Sequence, residues 1–313
     1  MYKKLLHQMA TAKRVQNVLL LGGTHGNEMS GVYVAKQFLK NPAQITKDSF
    51  KTTVLMGNPM AVEKCTRYID VDLNRQFTKE NLNGTNPKTN YEVKRVREMW
   101  ETLSTHSTNP DVVLDMHNTT ANMGNCFIIK NQNQIFDLHL INYVVKKATF
   151  SAPAHILCIS SPNHAYSCSR DIAPNGLALE LGPQPQGVLL AEMYQRMQEL
   201  VINSMIFIED FNSGVISDSF QTDAYNITDK VDFPRDADGN ITAMIHPRLQ
   251  DRDWEAVNKG DPLFLTFDGK TITYDKQETR YPVFINEASY YEKNLAFWLT
   301  RKETLNIPSL KME

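Results

Sequence analysis

Val18-Leu19-Leu20-Leu21-Gly22-Gly23-Thr24-His25-Gly26-Asn27-Glu28 is the stretch from which the fold of this chain is read. The apolar run Val18–Leu21 predicts a strand, and the glycine-flanked loop behind it presents His25 and Glu28 at a sheet edge. Open α/β sheets bind their ligands at such edges. An imidazole and a carboxylate three residues apart, where a helix begins, can both reach one metal ion. A hydrolytic zinc needs a third protein ligand and a position left for water.

Working outward, short apolar runs alternate with amphipathic stretches. Residues 28–39 read as a helix with Val32, Ala35 and Phe38/Leu39 on one face, and Thr53–Gly57 as a strand stopped by Asn58-Pro59. A charged helix follows over Tyr91–Leu103. Strands are expected at Asp111–His117, Phe127–Lys130, Ile156–Ser160 and Leu177–Leu181, with helices over Asn133–Lys147 and Leu189–Phe211. Strands separated by helices predict parallel pairing in a sheet covered on both faces. After Asn212-Ser213-Gly214 turn signals dominate. Asp238-Gly239 and Asp268-Gly269, each between β-prone runs, predict hairpins. The expected architecture is α/β: a catalytic domain over 1–212 and a smaller β-rich domain over 213–313.

With 313 residues, two domains are the natural prior. Apolar content of 42% is that of a globular protein, and a net charge of −2 with no basic stripe argues against a nucleic-acid partner. No stretch approaches a membrane span, and no apolar targeting segment opens the chain. The four cysteines, Cys65, Cys126, Cys158 and Cys168, form no C-x-x-C pair and suit reduced thiols in the cytoplasm. The sequons at Asn83, Asn118, Asn226 and Asn240 then read as chance matches.

A third ligand is available in His117. Asp115 and His117 share a strand face, and Asp115 is a candidate partner for an imidazole N–H in the site. His25, Glu28 and His117 make a His₂Glu set, the donor set of a hydrolytic zinc. The competing reading is that some of the eight histidines fall at strand ends by chance. Glu180 lies within the apolar strand Leu177–Gly182, where a carboxylate is costly unless paired or open to a cleft. It can serve as a general base, or it can be half of a structural salt bridge. Arg67, Asn74 and Arg75 fall in a polar loop. A guanidinium there can stabilise an oxyanion or clamp a carboxylate. Arg170, with Tyr166 before it, can hold a second carboxylate, though an isolated arginine is more often a solvated surface cation.

The blocks Gly-Gly-Thr-His25-Gly-Asn-Glu28, Cys-Thr-Arg67-Tyr-Ile-Asp-Val-Asp-Leu-Asn74-Arg75, Asp-Met-His117-Asn-Thr-Thr, Glu180-Leu-Gly-Pro-Gln-Pro-Gln-Gly and Phe-Ile-Asn-Glu287-Ala-Ser-Tyr290 together resemble the succinylglutamate desuccinylase/aspartoacylase family. The resemblance runs along essentially the whole chain. It implies a zinc-carboxypeptidase-like mixed sheet flanked by helices, one Zn(II) per subunit and a homodimer. It implies His25, Glu28 and His117 as zinc ligands, Glu180 as general acid and base, and Arg67 as the group polarising the scissile carbonyl. Asn74 and Arg75 correspond to the pair holding one substrate carboxylate, Tyr166 and Arg170 to residues at the other, and Tyr290 to a tyrosine entering from the C-terminal domain. Glu287 can be structural or touch substrate.

The implied activity is deacetylation of N-acetyl-L-aspartate in the cytoplasm, and in the nucleus as well for a eukaryotic chain. The alternative within the family is an aminoacylase-3-like deacylase of N-acetylated aromatic amino acids or mercapturates, a branch that lacks an arginine at the position of Arg170. A carboxypeptidase-type peptidase is disfavoured because Tyr290 reaching over the pocket would restrict access. A silent protein with a structural zinc clip would be expected to carry four ligands and to favour cysteine.

Overall fold

The computed structural model describes residues 9–105, 109–150, 152–159 and 168–313. Tyr166 lies outside them. In chain order the strands are β1 (Ala10–Ala12), β2 (Asn17–Gly22), β3 (Lys51–Met56), β4 (Val112–Asn118), β5 (Gly124–Ile129), β6 (Ala154–Cys158), β7 (Asn175–Gly182), β8 (Phe220–Val231), β9 (Ala243–Ile245), β10 (Pro262–Thr266), β11 (Thr271–Thr273), β12 (Tyr281–Val283), β13 (Phe297–Ile307) and β14 (Leu310–Met312). The helices are α1 (Met29–Lys40), α2 (Pro59–Lys64), α3 (Lys79–Leu82), α4 (Tyr91–Thr105), α5 (Ile135–Lys147) and α6 (Ala191–Asn212).

Among the described residues the main sheet runs β12-β13-β8-β6-β5-β7-β4-β2-β3. The pairs β2–β3, β2–β4, β4–β7 and β5–β6 are parallel, as strands joined through helices should be. Against that expectation, β5 runs antiparallel to β7. The reason is local: only residues 119–123 separate β4 from β5, too few for a crossover helix, so the chain reverses and β5 pairs on the far side of β7. The sheet is therefore mixed.

Side chains of alternate parity face two cores. Leu20, Leu114, Leu177 and Leu179 pack with Phe38 of α1, Leu140 of α5 and Leu200 of α6. Leu19, Leu21 and Val113 pack against Val96, Met99 and Leu103 of α4. Asp115 and His117 share the parity of Val113, so both lie on the face opposite α1, α5 and α6. Close approach of α1 to β4 depends on Gly31, where a Cβ would lie 2.5 Å from the Met116 carbonyl oxygen. The turn out of β2 uses Gly23 at φ +68°.

Beyond α6 the β-rich region is continuous with the main sheet, since β8 pairs in parallel with β6 through Leu157–Tyr225 and Cys158–Asn226. The antiparallel ladders β13–β8 and β12–β13 extend it. Asp268-Gly269 turns the hairpin β10–β11, with Gly269 at φ +85°. At Asp238-Gly239 the expected hairpin is reduced to one bridge, Arg235–Ile241. There the Asp236 carboxylate takes the N–H groups of Asp238 and Asn240 and holds the segment as a side-chain-closed turn. Among the described residues no helix is long and apolar enough to cross a membrane.

Candidate active site

Four segments meet at the C-terminal edge of the sheet. His25 leaves β2 through the glycine turn, and Glu28 stands immediately before α1. There its carboxylate makes no cap hydrogen bond to the helix and stays available to the site. His117 ends β4. Glu180 on β7 is its direct register partner.

The three expected ligands converge, with donor atoms within 4.8 Å of one another. Glu28 Oε1 lies 2.6 Å from His25 Nδ1, and Oε2 lies 2.8 Å from His117 Nδ1. The two Nδ1 atoms are 3.2 Å apart. Each ring is held from behind at Nε2: His25 by Asp72 Oδ1 at 3.0 Å and His117 by Asp115 Oδ2 at 2.8 Å. A carboxylate behind each Nε2 keeps the proton there, so both Nδ1 lone pairs are free to accept a cation. Two imidazole lone pairs and a carboxylate oxygen facing one point fit a zinc ion with a further position left open.

Electrostatics agree with that donor set. Burial works to raise the Glu28 pKa, but His25 and His117 outweigh it and hold the carboxyl well below its usual range. Burial likewise opposes ionisation of Asp115, and its hydrogen bonds to His117, Ser169 and Thr24 overcome it. Glu180 is the opposite case. Burial, then the nearby Glu28 charge, push it up to about 8. Among the described residues Glu180 forms no ion pair, so the structural salt bridge that would otherwise explain it is not made there.

The loop carrying the arginines is fixed from below. Glu92 of α4 accepts the N–H groups of Ile69, Asp70 and Val71 at 2.7, 3.0 and 3.1 Å. Arg67 then reaches Glu28 Oε1 at 3.4 Å and Asp72 Oδ2 at 3.2 Å. Asp72 also caps Asn74 N at 3.0 Å and takes Lys293 Nζ at 3.0 Å. Arg75 donates to its neighbour's carbonyl, Asn74 O, at 2.7 Å. Arg67, Asn74, Arg75 and Lys293 open with the triad and Glu180 on one cavity of about 250 Å³, shared with Arg170, Glu287 and Tyr290. Its other wall is apolar, made by Ile128, Ile227, Leu295 and Trp298.

Arg170 sits in the 3₁₀ turn Ser169–Ile172 and is 5% exposed, not the solvated cation of the bland reading. Among the described residues it has no hydrogen-bond or ion-pair partner, and its Nε is buried and unsatisfied. The Asp137 carboxyl of α5 makes no ion pair with it and is pushed up to about 7, by burial above all. Glu287 ties the β4–β5 turn to the C-terminal region. Its Oε2 accepts Thr120 N at 2.7 Å and Thr120 Oγ1 at 2.9 Å as well as Thr119 Oγ1, and Oε1 accepts Ser289 N at 3.1 Å. Tyr290 is half-buried beside it, its ring 5.7 Å from that of Phe284 between centroids.

Asp72, Glu92, Ser169 and Lys293 escaped the sequence reading. Asp72 lies 47 positions from the histidine it holds, in a loop without periodicity. Glu92 is a charged residue on a charged helix, with no local sign that it is fully buried.

A converging His₂Glu triad beside a half-buried carboxylate that makes no ion pair among the described residues, at the ligand-binding edge of an α/β sheet, defines a hydrolase with a metal-type centre. The chain belongs to the succinylglutamate desuccinylase/aspartoacylase family: residues 14–208 match the family's catalytic domain and residues 220–302 match the AstE/AspA barrel-sandwich hybrid domain. It is similar to aspartoacylase of Danio rerio, at 44% identity over 296 residues and 94% of each chain. It is equally similar to the human N-acyl-aromatic-L-amino acid amidohydrolase (carboxylate-forming), at 44% over 95% of this chain and 93% of that one. The crystal structure of murine aminoacylase 3 superposes with a TM-score of 0.89 at 42% identity, covering 96% of this chain and 99% of that one. The chain is thus an N-acyl amino acid deacylase of this family.

Proposed function

We propose that the protein is a zinc-dependent deacylase of acidic N-acyl amino acids, with N-acetyl-L-aspartate as substrate. The observation that carries this reading is Arg170, a buried guanidinium without an anionic partner among the described residues, on the same cavity as the triad. A buried cation left unpaired costs several kcal/mol, roughly, and a second substrate carboxylate removes that cost. Asn74 and Arg75 supply donors for the first carboxylate, and Tyr290 adds its hydroxyl.

His25, Glu28 and His117 would hold the zinc, which when bound supplies Lewis acidity and lowers the pKa of a water from about 15.7 toward about 7. Glu180 takes a proton from the water that attacks the acyl carbonyl. Arg67 donates to the oxygen on which negative charge develops. As the C–N bond breaks, Glu180 returns that proton to the leaving amine, and acetate and aspartate result. The division at 212/213 gives the catalytic ligands to the first domain and Glu287 and Tyr290 to the second.

A second reading, deacylation of N-acyl aromatic amino acids, is favoured by the apolar wall at Ile128, Ile227 and Trp298. Acetate release from N-acetylaspartate and from N-acetyltyrosine, each with and without a chelator, separates the two. Faster turnover of the tyrosine derivative would overturn the acidic assignment, and chelator-resistant turnover would overturn the metal.

A further inference from the structure

Ser169 immediately precedes the substrate-facing Arg170 and is itself 1% exposed. Both its polar groups are committed to the metal side of the site. Its hydroxyl donates to Asp115 Oδ2, the oxygen that lies 2.8 Å from His117 Nε2. Its N–H donates to Asn74 Oδ1 at 3.0 Å, and the Nδ2 of the same amide lies 3.5 Å from His117 Nε2. One short hydrogen-bonded route, through Asp115, therefore runs from the residue before Arg170 to the back of one ligand ring, and the Asn74 amide lies against the same ring. Asp115 has one further partner: Thr24 Oγ1 donates to Oδ1 at 2.7 Å, from the loop after β2 and away from the arginine turn.

We propose that Ser169 is a positioning residue that couples anion binding at Arg170 to metal retention at His117, through Asp115. An anion drawn against Arg170 settles the 3₁₀ turn, and the settled turn fixes the serine hydroxyl on Asp115. Asp115 then holds the His117 ring with Nδ1 aimed at the ligand point. Coupling of this kind is reciprocal, so the metal-loaded site also binds the anion more tightly. The proposal rests on the reading of Arg170 as an anion subsite. It does not require that the anion be N-acetylaspartate.

The test measures zinc release from the full-length, zinc-loaded protein into a competing chelator, with succinate as dicarboxylate probe and acetate as monocarboxylate control. Succinate should slow release about fivefold or more, within the usual range of coupling between sites, and acetate should not. Ser169→Ala should release zinc about tenfold faster, the scale on which lost outer partners of ligand histidines act. Succinate should no longer slow its release. Ser169→Thr, which keeps the hydroxyl, should restore both behaviours. Thr24→Val shares the Asp115 contact but not the arginine turn, so it should release zinc faster yet keep the succinate effect.

Undiminished protection by succinate in Ser169→Ala, or its loss to the same extent in Thr24→Val, would overturn the coupling. So would the lack of any succinate effect in the unmodified protein. N-acetylaspartate hydrolysis by the unmodified enzyme is measured alongside. Hydrolysis without a succinate effect sinks the coupling alone, and a succinate effect without hydrolysis sinks the substrate assignment alone.

Discussion

His117 and Glu180 are direct register partners on the neighbouring parallel strands β4 and β7. Paired residues of parallel strands point to the same face, so the sheet itself places the triad's His117 and the Glu180 carboxylate side by side. Neither position depends on a loop. The hydrogen-bonded ladder that supports the core also sets the spacing between the triad's imidazole and the carboxylate beside it.

Glu180→Gln keeps the shape of the side chain and removes its capacity to carry a proton. The triad is untouched, so bound zinc should remain at one per chain by elemental analysis. Turnover of N-acetylaspartate should fall by about 10²–10⁴-fold, the range general acid–base groups supply. A variant that keeps its zinc and loses less than tenfold in kcat would remove Glu180 from the mechanism.

Arg170→Ala discriminates between substrates. Charge-assisted hydrogen bonds contribute about 1.5–3 kcal/mol, so kcat/KM for N-acetylaspartate should drop about 10- to 100-fold. N-acetyltyrosine has no second carboxylate, and its kcat/KM should hold or rise. Equal losses on both substrates would mean that Arg170 supports the pocket wall and reads no substrate charge.

The strands and helices were legible wherever apolar periodicity was strong. β2, β4, β7, α1 and α6 fall within a few residues of their expected bounds, because burial on a sheet face or helix stripe leaves a periodic trace. The convergence of His25, Glu28 and His117 could be anticipated because all three sit at strand ends or a helix start. What periodicity cannot carry is contact between irregular segments. Asp72 behind His25, Glu92 beneath the arginine loop and Ser169 against Asp115 are chosen by three-dimensional hydrogen bonding, and each looks in sequence like an ordinary polar residue. The reversed β5 was likewise hidden, since its direction follows from the short 119–123 link and not from its own composition.

Glu287→Ala should destabilise the protein even though the triad is intact. The carboxylate accepts the Thr120 and Ser289 N–H groups and the Thr119 and Thr120 hydroxyls, and its deletion strands several buried donors at once. Each buried donor left without a partner costs about 1–3 kcal/mol. Urea unfolding should show this as a lower midpoint at unchanged slope. Activity should fall with the folded fraction. A midpoint within the error of the unmodified protein would mean that Thr119, Thr120 and Ser289 find other partners.

Asp137 gives the stability a pH dependence of known sign. Its carboxyl is fully buried on α5 and, among the described residues, takes one hydrogen bond, from Gly176 N at 3.2 Å; burial pushes it from an ordinary 3.8 up to about 7. Between those values the folded chain holds a proton that the unfolded chain has released. Stability contributed by this group is therefore complete below about pH 4 and declines as pH rises through about 7. Asp137→Asn keeps an oxygen for Gly176 and cannot ionise, so it removes that decline. The variant should match the unmodified protein near pH 4 and exceed it at pH 8 by an amount on the order of a few kcal/mol. Parallel urea titrations at the two pH values check this, and an advantage that is the same at both would show that Asp137 is not the group responsible.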